Sequence, residues 1–224
     1  MPTEVEAKFL ADAGAIALLN RAGRLGSAQL GPPRDVLQVD RYLDTPDGRL
    51  ADAGWACRLR ERDGDLRVSL KGAAAGRIGD ADGLHRRPEV EGPAGPDPLP
   101  ASWPVSRART LLEGLIGREP LVERLVIRQA RAEREVVAGS RVVATLSLDT
   151  IAFDGPAARG TPAALGASPE IGSMHVVELE ARGAPGRAYD DAVAALAALP
   201  GLRPDRQTKL ERGLALLGTP AGRP

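Results

Sequence analysis

The sequence predicts an α+β protein built on a closed antiparallel sheet, with a charged interior and helices packed on the outside. Three observations carry this expectation. Apolar and charged residues alternate with a period of two in segment after segment, the pattern of strands with one apolar face. The charges on the polar faces are sorted by strand: acids at Glu4 and Glu6, Glu89 and Glu91, Glu178 and Glu180, and bases at Arg58, Arg60 and Arg62, Arg67 and Lys71. A merely solvated face would mix the two signs within each strand. Four amphipathic segments offer covers for the apolar faces, so the charged faces turn inward, and closure also removes exposed sheet edges. Unpaired buried charge is expensive, so such an interior needs water, metal or an anion between its walls.

The elements follow in chain order. The opening Met-Pro-Thr-Glu-Val-Glu-Ala-Lys sets Glu4, Glu6 and Lys8 at alternate positions, which a strand points to one face. Two carboxylates this close repel unless something positive lies between them. A hard divalent cation with oxygen ligands does that, leaving the lysine to hold an anion beside it; metal and anion together point to phosphate chemistry. Ile16, Leu19 and neighbouring alanines give a helix from about Asp12 to Ala22. Leu37 to Leu43 reads as a strand, closed by the turn Asp44-Thr45-Pro46-Asp47-Gly48, in which Asp44 and Thr45 are turn formers. Strands follow around Trp55–Arg62, Leu66–Lys71 and Glu89–Glu91. Gly92 to Pro104 is rich in Gly and Pro and reads as a loop before a helix from Val105 to Gly117. Leu121 to Val137 and Val142 to Asp149 are strands, and Gly155 to Ser173 is the expected mobile segment. Val177 and Leu179 alternate with Glu178 and Glu180 in a further strand. A third helix carries Tyr189, Val193, Leu196 and Leu199 and stops at Pro200-Gly201; Asp205 is the expected N-cap of a fourth, with Leu210, Leu214 and Leu217 on one side. Similar strands lie on both sides of the 92–104 loop, so one domain over residues 1–218 is expected, with 219–224 as a tail.

Composition narrows the function. With 30 basic and 30 acidic residues among 224 the formal net charge is zero, which gives no general pull toward nucleic acid or an anionic membrane. Any phosphate site must arise from local sorting of charge. No run approaches the ~18 apolar residues of a membrane span, and the first residues carry no basic-then-apolar leader pattern. Cys57 is the lone cysteine, which excludes an intrachain disulfide and fits a reducing compartment, so a cytoplasmic protein is expected. His85 and His175 are too few and too separated for a histidine zinc site, and Trp55 reads as packing.

Glu4-Val5-Glu6-Ala7-Lys8 resembles the E-x-E-x-K signature of the CYTH, or triphosphate tunnel metalloenzyme, family. Further pieces arrive in that family's order: Tyr42-Leu43-Asp44-Thr45-Pro46, Arg58-Leu59-Arg60, Leu70-Lys71-Gly72, Glu89-Val90-Glu91, the strand-ending Asp149, Glu178-Leu179-Glu180, and Thr208-Lys209-Leu210. The last has Thr and Leu where the family has Ser and Tyr. The resemblance covers residues 3 to 217 and implies an eight-stranded antiparallel tunnel. It also implies Mg²⁺ or Mn²⁺ held by Glu4, Glu6, Glu178 and Glu180, with Asp149, Glu89 and Glu91 behind these ligands or on a second ion.

By the same resemblance Lys8, Arg58, Arg60, Lys71, Arg128, Arg131 and Lys209 hold phosphate oxygens, with Glu4, Glu6, Lys8 and Lys71 closest to the reaction. Arg128 and Arg131 stand three apart, which puts them on opposite faces of a regular strand unless a bulge intervenes. The implied reaction is attack of a metal-activated water on a triphosphate, most simply inorganic triphosphate. Thiamine-triphosphatase and class IV adenylate cyclase are the alternatives; the two Trp, two Tyr and two Phe leave few platforms for stacking a base. A non-catalytic module that binds polyphosphate or a nucleotide is the reading of another class, disfavoured by so many acids. A small-molecule partner, no nucleic acid, no membrane, and a monomer or homodimer are expected.

Overall fold

The computed structural model describes residues 3–73, 84–156 and 169–218. In chain order the elements are β1 (Thr3–Ala11), α1 (Ala13–Arg21), β2 (Arg24–Leu25), β3 (Ala28–Leu30), β4 (Arg34–Asp44), α2 (Arg49–Asp52), β5 (Trp55–Arg62), β6 (Asp65–Gly72), β7 (Leu84–Pro93), α3 (Arg107–Ile116), β8 (Val122–Ala138), β9 (Arg141–Asp154), β10 (Glu170–Ala181), α4 (Arg187–Ala197), β11 (Leu202–Pro204) and α5 (Lys209–Leu216). Eight strands close into an antiparallel barrel in the order β8, β4, β5, β6, β7, β1, β10, β9, with β9 pairing back to β8. The short β2 and β3 extend from β8, and β11 pairs with β1. The expected α+β barrel with outer helices is the fold.

Register decides which charges meet. Residues directly opposite in an antiparallel pair share a face. Glu4 lies opposite Arg87, Asp40 opposite Arg60, Lys71 opposite Glu89, and Arg131 opposite Asp149, so unlike charges face one another along the inner wall. Glu6 opposite Glu180 and Arg60 opposite Arg67 are exceptions, like-charged pairs.

Two stretches of the outward face are apolar and covered, while Leu37 on β4 stays 78% exposed. α1 and α4 pack over Phe9, Leu146 and Leu179, and α2 and α3 pack over Leu59 and Val68. Each such side chain, fully buried, contributes about 1.5–3 kcal/mol. Trp103, which the sequence places in a loop, is buried in the second of these cores and donates its indole N–H to the Asp97 carbonyl at 2.8 Å. The Gly92–Pro104 stretch is therefore tied down. The Asp44 carboxylate accepts from the backbone N–H groups of Thr45, Leu50 and Ala51 at 2.7, 2.9 and 3.2 Å, which fixes the turn into the short α2 that the sequence reading missed. Glu170 to Ser173 belong to β10 rather than to a loop; residues 157–168 of the expected mobile segment, and the 219–224 tail, lie outside the described residues.

α5 differs from the other helices. Along one end of the barrel the inner face turns from charged to apolar: Leu10, Tyr42, Ile127, Ile151 and Val176 each stand two residues from a charged or amide side chain on the same face and pack with Leu210 and Leu217. α5 thus closes that end from within rather than coating the outside. Its N-cap is Thr208, not Asp205: the Thr208 hydroxyl accepts from the Glu211 N–H at 3.1 Å, and the Glu211 carboxylate accepts from the Thr208 N–H at 2.6 Å. Asp205 instead accepts from Arg212 and stands 3.7 Å from Lys8. At Gly213 a Cβ would overlap Leu125 and come within 3.0 Å of Phe153. Gly213→Ala is expected to cost about 1–3 kcal/mol by overpacking. Gly114→Ala, on the exposed face of α3 with open space around it, is expected to gain about 0.5–1 kcal/mol; urea unfolding of the two variants measures both.

Candidate active site

Alternation carries the functional side chains inward. β1 supplies Glu4, Glu6 and Lys8; β5 supplies Arg58 and Arg60; β6 supplies Lys71; β7 supplies Arg87, Glu89 and Glu91; β8 supplies Arg131; β10 supplies Glu178 and Glu180; and the first turn of α5 supplies Lys209. Together with Tyr42 they line a cavity of about 260 Å³. Seven of the lining side chains are basic and six are acidic.

Two charge networks divide this wall. In the first, Lys71 donates to both oxygens of Glu4 at 2.6 and 2.8 Å, and Arg87 donates to Glu4 at 3.1 Å and to Glu6 at 3.2 Å. Lys71 also stands 3.3 Å from Glu89, and Arg58 stands 3.6 and 3.8 Å from Glu89 and Glu91. Burial opposes the charged form of Glu4, but Lys71 and Arg87 outweigh it and hold its carboxyl at about 2, against an ordinary 4.5. Glu180 stands at the solvent-exposed mouth and makes no ion pair with any described residue. Partial withdrawal from water and the charges of Glu4 and Glu6 push its carboxyl up.

The second network lies deeper. Arg60 grips Asp40 through two bonds of 2.7 Å, and Gln129 donates to the same carboxylate at 2.7 Å. Arg131 grips Asp149 at 2.6 and 2.7 Å and reaches Glu178 at 2.8 Å. Lys209 donates to Gln129, Asp149 and Glu178 at 2.8, 2.8 and 3.0 Å. Burial works against the Lys209 ammonium, yet Asp149 and Glu178 raise its pKa; the same burial is overcome at Glu178, which Lys209 and Arg131 hold well below the usual carboxylate range. Lys8 is buried beside them, donates to the Gln207 carbonyl, and has its pKa lowered by burial.

The placement of the expected residues is therefore uneven. Glu4, Glu6, Lys8, Arg58, Arg60, Lys71, Glu89, Glu91, Arg131, Glu178, Glu180 and Lys209 converge on one cavity. Arg128 does not: the register of β8 against β4 runs without a bulge from Arg128 to Arg131, so Arg128 points outward and pairs with Asp154 at 2.8 Å. Asp149 sits behind the cavity wall, fully buried, with both oxygens taken by Arg131 and Lys209, not open to an ion. The Glu4, Glu6 and Glu180 carboxylates line the cavity, and carboxylate oxygens suit a hard divalent cation. As placed, no group of three or more His, Cys, Asp or Glu among the described residues is arranged to hold a metal. Lys71 and Arg87 occupy Glu4 and Glu6 instead.

The CYTH domain profile matches residues 2–214. The chain belongs to the CYTH family. Among solved structures this CYTH protein is similar to HpAC1 from Hippeastrum, assigned as an adenylyl cyclase and showing a dominant triphosphatase activity, with 20% identity, 96% of each chain covered and a TM-score of 0.66. It is similar to a protein assigned as an adenylate cyclase from Bacillus halodurans at 19% identity, covering 95% of this chain and 98% of that one, with a TM-score of 0.56. It is also similar to PH1819 from Pyrococcus horikoshii at 18% identity, with the same coverages and a TM-score of 0.52. No curated protein matches it.

Sequence reasoning missed Arg87, Asp40 and Gln129. Arg87 was readable, since it stands two before Glu89 on the same strand face; Asp40 likewise stands two before Tyr42. Gln129 carried no charge to draw attention to it.

Both networks predict acid sensitivity. Glu4 and Asp40 are held below their ordinary values, Asp40 through Arg60 and Arg58 against its burial. The unfolded chain therefore takes up protons at these groups before the folded one does, and stability present above about pH 5 is lost as pH falls toward 2. Asp40→Asn leaves the half-buried Arg60 without its counter-charge and is expected to cost about 2–3 kcal/mol at pH 7. In urea unfolding that variant loses less further stability between pH 7 and pH 3 than the parent does.

Proposed function

We propose that the tunnel hydrolyses a triphosphate, with inorganic triphosphate as the preferred substrate and Mg²⁺ or Mn²⁺ as the cofactor. The observation that carries this reading is the gathering of seven cations and six carboxylates on the walls of one cavity. Lys8, Arg58, Arg60, Lys71, Arg87, Arg131 and Lys209 bind and align the phosphate chain. Arg offers paired donors to phosphate oxygens, and Lys a compact point charge. Glu4, Glu6 and Glu180 hold the divalent ion; Glu178, with Asp149 behind it, keeps Lys209 and Arg131 charged and aimed. When bound, the ion supplies charge neutralisation and a water of lowered pKa. Phosphoryl transfer asks the protein mainly for positioning and charge stabilisation. These residues provide both, from four or more strands that cannot shift independently.

The cavity favours the inorganic substrate over a nucleotide. Its volume of about 260 Å³ lies below the ~300–1,000 Å³ common for ligand pockets, and Tyr42 is the one aromatic among the described lining residues. The dominant triphosphatase activity of HpAC1 agrees with hydrolysis over cyclisation. The proposal takes residues 1–218 as one catalytic unit acting on a small molecule, as a cytoplasmic monomer or homodimer. Among the described residues no helix is long and apolar enough to cross a membrane.

The test offers inorganic triphosphate, ATP and thiamine triphosphate with Mg²⁺ and with Mn²⁺, and measures orthophosphate, pyrophosphate and cyclic AMP. Orthophosphate from inorganic triphosphate is expected as the fastest product; cyclic AMP with pyrophosphate from ATP overturns the choice. Glu6→Gln is expected to lower kcat by at least 100-fold with little change in Tm, since Arg87 keeps Glu4 as a partner.

A further inference from the structure

Two of the carboxylates that line the cavity, Glu4 and Glu6, are already engaged. Lys71 lies against both oxygens of Glu4, and Arg87 spans from Glu4 to Glu6. The same two cations are on the wall that faces substrate. A divalent cation arriving alone must push them off, and they are then left as unpaired positive charges beside a dication. A triphosphate arriving alone must pull them off, and Glu4 and Glu6 are then left as unpaired acids beside a polyanion and beside Glu180. Each arrival alone creates the like-charge crowding that buried sites disfavour. When both arrive, each takes what the other releases. The near balance of seven basic and six acidic lining groups points the same way: the cavity has little net charge to offer either ion alone.

The deeper pairs are built differently. Asp40 and Asp149 are 0% exposed, and each is gripped through two bonds by an arginine, so their cations are positioned by partners that no incoming ion can reach.

We propose that Lys71 and Arg87 are exchangeable counter-ions of Glu4 and Glu6, and that through them the site takes a divalent cation and a triphosphate jointly, each tightening the other. This rests on the metal-dependent triphosphatase reading and adds the order of affinities within it. Arg87 becomes a specificity-determining residue: it holds the acids closed to a metal that brings no phosphate. By linkage the tightening is the same seen from either ligand.

Isothermal titration calorimetry on the whole protein tests it with three titrants: MnCl₂ alone, a non-hydrolysable imidotriphosphate with EDTA, and the preformed Mn²⁺–imidotriphosphate complex. The complex is expected to bind at least tenfold tighter than either component. Arg87→Met and Lys71→Met are each expected to strengthen binding of Mn²⁺ alone by several-fold and to shrink the coupling. Arg128→Met, which removes a cation that points outward and pairs with Asp154, leaves the affinity for Mn²⁺ alone unchanged. Tight binding of Mn²⁺ alone to the parent, or the same gain in Arg128→Met as in Arg87→Met, overturns the proposal. Triphosphate hydrolysis on the same preparation separates the two readings: turnover without coupling rejects the counter-ion role and keeps the triphosphatase, and coupling without turnover does the reverse. Neither turnover nor coupling rejects both.

Discussion

Cations cannot be gathered inside a closed barrel unless carboxylates stand between them. Seven lining bases in a cavity of about 260 Å³ would repel one another at a cost no core could offset. The structure meets this constraint by register. Opposite residues on neighbouring strands carry opposite charges at Glu4 and Arg87, Asp40 and Arg60, Lys71 and Glu89, Arg131 and Asp149. Strand pairing and charge pairing are therefore one arrangement, and a one-residue slip in any strand would turn its charges into the outer apolar core.

The pairs do two kinds of work. Asp40 and Asp149 are sealed behind the wall and orient guanidinium groups without competing for ligands. Glu4, Glu6 and Glu180 face the cavity, where one pair of opposed acids, Glu6 and Glu180, has no cation set directly between its strands. The fold thus separates acids sealed behind the wall from acids that line the cavity. Which acid belongs to which class follows from depth, not from residue type.

Much of this was legible in the sequence. Alternation gave the inner face of β1, β5, β6 and β10, because each carries several charges in one parity and helices were available to cover the other. The turn at Asp44 was readable from residue chemistry. The parts that were not readable share a physical reason: they depend on what lies across from a residue. Arg128 and Arg131 look alike in sequence, and the parity of a strand that carries bases on both faces is settled only by its neighbours. Asp205 and Thr208 are both good N-caps, and the choice went to Thr208 because Glu211 completes a reciprocal cap while Asp205 is drawn to Arg212 and Lys8. Asp149 reads as a ligand by its position in the motif order, but its depth gives it to Arg131.

The first strand of the described chain completes the barrel only by pairing with β7 and β10, and Glu6 finds Glu180 across more than 170 residues of sequence. Contacts this remote form slowly, since loop closure precedes any reward. As the chain leaves the ribosome, the segment bearing Glu4, Glu6 and Lys8 emerges before its partners, with one edge free to pair once β7 is made and the other waiting for β10. α5, which inserts Lys209, comes later still. The lining of the cavity is complete only once α5 has been made, and a nascent chain stalled before β10 is an open sheet that chaperones would have to hold.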